Sequence, residues 1–81
     1  MKLFLISQDE NTSYDTYSDA IVAADTEDEA RKIHPGGEYG NWDSPYGNDW
    51  CSSPKSVSVK YIGEAADDVE SGVICASYHA G

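Results

Sequence analysis

The segment TEDEARKIHPGG, residues 26–37, constrains this chain more than any other. Its first four residues form a capping box: the Thr26 hydroxyl is placed to accept from the Glu29 amide while the Glu29 carboxylate reaches back. Glu27, Asp28 and Glu29 suit the positive end of a helix dipole, and Arg31 and Lys32 suit the negative end. His34-Pro35-Gly36-Gly37 then stops the helix. What lies between is about two turns, with Ala30 and Ile33 as an inward stripe. So short a helix does not persist alone in water. The rest of the chain must supply a sheet for it to rest on.

The flanking segments read as that sheet. Residues 2–7, KLFLIS, are an apolar run suited to a central strand. Its large residues fall on both faces, Leu3 and Leu5 against Phe4 and Ile6, so cover is expected on both sides. Residues 8–16 are polar and turn-rich, and residues 17–24 form a second strand centred on Ile21-Val22. Together they suggest a β-hairpin with a long acidic tip. Val57, Val59 and Tyr61 alternate with polar residues, making 56–63 a half-exposed strand; 64–71 is an acidic connection and 72–78 a final strand. The expectation is a single α+β domain over residues 1–81, in the order β-β-α-β-β. It has a four-stranded, mainly antiparallel sheet with one short helix packed on one face and a long aromatic loop. At 81 residues there is one core, a stability of about 4–12 kcal/mol, and no room for a deep cleft between two lobes.

The aromatic loop is residues 38–54, with Tyr39, Trp42, Tyr46 and Trp50 set among Gly, Asn, Asp, Ser and Pro. A loop of this length without periodicity is most often an Ω-type loop with a function. Tyr and Trp dominate interface hot spots, so these four are candidate partner-binding residues. The competing reading is that the loop folds back over the sheet face that one short helix leaves bare. A mixed outcome is expected, with Trp42 and Trp50 mostly structural and Tyr39 and Tyr46 more exposed.

Charge narrows function. Five Lys or Arg against fifteen Asp or Glu give a net charge of -10. The five cations are scattered, so no basic stripe can neutralise phosphates, and direct binding to nucleic acid or to an anionic membrane is disfavoured. A basic protein surface is the natural complement. Two acidic clusters stand out: Asp25, Glu27, Asp28 and Glu29 at the helix start, and Glu64, Asp67, Asp68 and Glu70 between the last two strands. If the helix runs antiparallel to the strand before it, and the third strand runs the other way, both clusters reach one end of the sheet and form one negative patch. Separately, the first merely caps a helix and the second merely solubilises a loop.

Catalysis has no positive support. Cys51, Cys75, His34 and His79 invite a zinc reading, but close-spaced ligand pairs are missing. The plainer reading makes Cys75 a small buried strand residue and His34 a polar helix stop. Nothing marks a lowered thiol pKa or an oxyanion hole for a Cys–His pair. Asp67-Asp68-x-Glu70 lacks the alternation of a Ca²⁺ loop, and no P-loop or dinucleotide fingerprint is present. No metal, cofactor or catalytic residue is expected. The apolar run after Met1-Lys2 ends at Ser7, far short of a signal-peptide core, so a cytoplasmic location and reduced cysteines are expected.

The segments MKLFLISQ, YDTYSDAIVAADTEDEARKIHP, the Trp-containing loop with Ser53-Pro54, VSVKYIGEA and GVICASYHAG together resemble a group of short proteins encoded in phage and prophage genomes. The likeness spans nearly the whole chain and carries no catalytic motif. It implies an anti-CRISPR or other anti-defence inhibitor, which binds a host complex and blocks its nucleic-acid site. The partner is then a basic host protein or ribonucleoprotein, with a CRISPR effector as first guess. The residues themselves leave the chain a monomer or a homodimer, the latter through an edge strand at Ser56–Lys60, which alternates well and carries few blocking charges. On that reading Glu27, Asp28, Glu64, Asp67, Asp68 and Glu70 imitate phosphates, while Tyr39, Trp42, Tyr46 and Trp50 add short-range contacts. The rivals are a protein that sequesters a small ligand or nucleotide under the aromatic loop, and a structural or assembly protein of a phage. A rise in melting temperature with a saturating nucleotide marks the first.

Overall fold

A computed structural model describes residues 1–10, 16–37, 50–51 and 53–79. It contains β1 (Lys2–Ser7), β2 (Thr16–Ala24), α1 (Glu27–Arg31), a 3-10 turn (Pro54–Ser56), β3 (Ser58–Glu64) and β4 (Gly72–His79). The strands form one sheet in the order β3-β1-β2-β4, and every neighbouring pair is antiparallel. The expected α+β class, the β-β-α-β-β order and the central place of β1 are all present. The 3-10 turn is an addition, capped by the Ser53 hydroxyl accepting from the Lys55 amide at 3.2 Å.

The capping box forms as its residue types require. Thr26 Oγ1 accepts from the Glu29 amide at 3.1 Å, and the Glu29 carboxylate reaches back to accept from the Asp25 amide at 3.3 Å. The helix is shorter than the pattern suggests. Lys32 and Ile33 donate to Glu29 and Ala30 carbonyls three residues earlier, at 3.2 and 3.1 Å, so the last turn tightens to 3-10 geometry ahead of Pro35. A further turn follows, with the Gly37 amide donating to the His34 carbonyl at 2.9 Å and Gly37 at φ 63°, a conformation open to glycine at little cost. Ile33 thus lies beyond the helix, half-buried against the core.

Residues opposite each other in an antiparallel ladder share a face. Phe4 opposes Val22 and Ile6 opposes Ala20, and all four are buried on the side where Ala30 of α1 packs. Trp50, Cys51 and Val57 complete this core. The Arg31 guanidinium donates to the Val57 carbonyl, fastening the end of α1 to the start of β3. On the other face Leu3, Leu5 and Ile21 are half-buried. Ala23, opposite Leu3, is fully buried on that face, so the face is partly covered, although among the described residues no helix lies there. Register slips leave Ile62 as an extra residue in β3, Ser18 in β2 and Ile74 in β4. Each such bulge bends its strand and increases local twist.

Candidate functional site

Strand register decides where the two acidic clusters lie. Lys2 opposes both Ala24 of β2 and Glu64 of β3, and Ala23 opposes Gly72 of β4. The end of β2, the start of β1, the end of β3 and the start of β4 therefore share one end of the sheet. α1 begins there too, because it follows Ala24 directly, and it runs back toward Tyr17, whose ring lies 6.2 Å from that of His34. Residues 65–71 must cross this end from one sheet edge to the other, a distance of about 14 Å at three strand spacings. The Ala65 amide donating to the Met1 carbonyl at 2.9 Å fastens the start of that crossing.

Both clusters reach this end, and Asp25, Glu27, Asp28, Glu29, Glu64, Asp67, Asp68 and Glu70 are all exposed. They are not equally available. Glu27 is paired with Arg31 at 3.2 Å, Glu29 holds the Asp25 amide, and Glu64 accepts from the Tyr61 hydroxyl at 2.8 Å. That carboxylate disfavours the phenolate beside it, so the Tyr61 hydroxyl titrates above its ordinary 10.0. Asp28, Asp67, Asp68 and Glu70 make no side-chain hydrogen bond or ion pair among the described residues and present the least encumbered charge. Lys2 reaches toward this end, but its ammonium donates to the Asp25 carbonyl at 3.4 Å and not to a carboxylate.

The aromatic candidates divide. Tyr39, Trp42 and Tyr46 lie outside the described residues. Trp50 is fully buried, with its ring 6.5 Å from that of His34. It is a core residue, as the structural half of the sequence reading has it, and provides no contact surface. Its place as a partner-binding residue is therefore withdrawn.

The Cys and His residues are also separated. Cys51 is buried in the core with its thiol donating to the Ser53 carbonyl at 3.3 Å, and burial pushes that thiol above its ordinary 9.0. Cys75 is exposed, which corrects its reading as a buried strand residue: β4 is an edge strand, and at Cys75, opposite Ile21, it lies on the face away from α1. His34 is buried, and its Nδ1 accepts from the Gly36 amide at 2.9 Å, so this helix stop is also a core side chain. Both cysteines are free thiols, and among the described residues no three His, Cys, Asp or Glu side chains converge on a point. No described helix is long and apolar enough to cross a membrane.

Sequence reasoning missed one surface. Ile74 and Tyr78 on β4 are large and exposed, whereas the exposure of Tyr61 and Ile62 on β3 agrees with the half-exposed strand expected there. The signal for β4 was present in the lack of any Asp, Glu, Lys or Arg between Gly72 and His79. No family model matches the chain, and no curated protein or solved structure is found similar to it.

Proposed function

We propose that this chain is an inhibitory binding protein of the phage anti-defence kind, with an anti-CRISPR role as the first case to test. It lays its acidic sheet end on a basic nucleic-acid-binding surface of a host protein or ribonucleoprotein. One observation carries the reading: the register brings two acidic clusters, far apart in sequence, to the same end of one sheet. The density fits. Duplex DNA carries a charge for every 1.7 Å of axis, so about eight phosphates occupy the 14 Å that the crossing spans. Arg31 and Lys2 reduce the net charge of the protein patch, yet it stays strongly negative. A patch of this kind steers association with a basic channel and competes there with the natural ligand.

The test is inhibition of target-DNA binding by a guide-loaded CRISPR effector, measured across a salt series. The inhibition constant should rise steeply with ionic strength, because exposed charges are screened. The double variant Asp67→Lys/Asp68→Lys should weaken inhibition by about tenfold or more. Asp9→Lys, beyond Ser7 at the opposite end of the sheet, should change it by less than about twofold. Inhibition indifferent to salt, or equal loss in the two variants, would remove the acidic end from the mechanism.

A further inference from the structure

In this acidic chain β4 is the exception. It has no charged Asp, Glu, Lys or Arg, and it lies at the sheet edge, with β2 on one side and no described strand on the other. A strand packed on one face alternates open and covered side chains. Here Ile74, Cys75, Ala76, Ser77 and Tyr78 are exposed in succession, so both faces of this part of β4 are open. Two of these are large, Ile74 at 49% exposure and Tyr78 at 48%. An uncharged edge with apolar side chains templates pairing with another strand. The opposite edge is guarded by charge: β3 has Lys60 in its middle and Glu64 at its end.

We propose that β4 is the interface for a second copy of this chain, pairing antiparallel about a two-fold axis at Ala76. The spacing favours a copy over a foreign strand. Ile74 and Tyr78 lie two residues on either side of Ala76. Centring the pair there sets Ile74 of each copy against Tyr78 of the other, Cys75 against Ser77, and the small Ala76 against itself. A β-branched residue opposite an aromatic one is a favoured cross-strand pair. Charge selects the antiparallel sense. The acidic connection ends just before Gly72, and antiparallel pairing holds the two copies of Gly72 about 27 Å apart, roughly three Debye lengths at physiological salt. Parallel pairing would lay the two acidic ends side by side. The contact is isologous and closes on itself, whereas β3 against β4 of another copy would propagate without limit. Pairing through one short edge strand makes a small contact, at the weak end of specific interfaces. This inference does not rest on the acidic-end reading.

Sedimentation velocity on the full chain, from about 10 μM to about 1 mM, tests it at the concentrations where so small an interface associates. The wild-type chain should pass from monomer to dimer and go no further. Ala76→Arg, which sets like charges at the axis, should raise the dissociation constant by about tenfold or more, and Ile74→Lys should act in the same direction. Ile62→Lys, on the other edge, should leave it unchanged. Far-UV circular dichroism checks that each variant folds. A wild-type measurement stands beside them: the two Cys75 thiols fall within about 10 Å of each other across the axis, so a short bismaleimide should join them. A chain that stays monomeric to the highest concentration overturns the proposal. So does a dimer broken by Ile62→Lys but not by the β4 variants, or a dimer that the reagent cannot join.

Discussion

At the residue scale, Cys51 and Cys75 show how the same side chain takes opposite roles by position. Cys51 is buried beside Trp50, and Cys75 lies open on the sheet edge. At pH 8 a thiol reagent should therefore modify Cys75 promptly and Cys51 only after unfolding. Recovery of two fast thiols from the native chain would contradict this. The pH dependence has a definite sign. Burial raises the Cys51 thiol above 9.0 in the folded state, so the unfolded chain loses that proton first. The associated stability is whole below pH 9.0 and is lost as pH climbs through the folded value. Melting curves from pH 7 to 10 should show a decline that is shallower in Cys51→Ala. Trp50 was expected to be mostly structural and is buried, but Cys51 as a core residue could not be read from the loop, because an aperiodic segment carries no face to mark what is inside.

At the element scale, α1 illustrates how much local chemistry can specify. Thr26 and Glu29 were legible as the start and act in that capacity, whereas the stop expected at residues 34–37 lies beyond the C-cap at Lys32. Thr26→Ala removes an acceptor from a helix of five residues and should cost about 1 kcal/mol. For a domain of this size that corresponds to a melting midpoint lower by about 4–8 °C. No change in midpoint would mean that tertiary contacts, chiefly Ala30 on the sheet and Arg31 on the Val57 carbonyl, hold α1 without its cap. The strands were legible to within two residues at each end. Their bulges were not, since the extra residues Ser18, Ile62 and Ile74 differ in no local way from their neighbours.

At the scale of the whole molecule, fifteen carboxylates and five Lys or Arg on 81 residues make self-repulsion a term in stability. Gathering eight of those carboxylates at one sheet end concentrates it there. The melting temperature should rise as salt shortens the screening length from about 30 Å at 0.01 M to about 8 Å at 0.15 M. Asp67→Lys/Asp68→Lys should raise it in low salt and flatten the salt dependence. A midpoint indifferent to both would show the carboxylates too dispersed to act as a patch. This measurement needs no partner, so it separates the existence of the patch from its use.

The amino-acid sequence by itself determined the elements: the capped helix, four apolar strand runs, the acidic clusters and the scarcity of cations. These depend on neighbours within a few residues, where periodicity and hydrogen-bonding side chains act directly. Only the tertiary structure decided the strand order β3-β1-β2-β4. That order places Glu64 two strands from Ala24 and leaves β4 at the edge. Pairing between strands distant in sequence depends on which faces fit together and on the register that results, and no single segment contains that information.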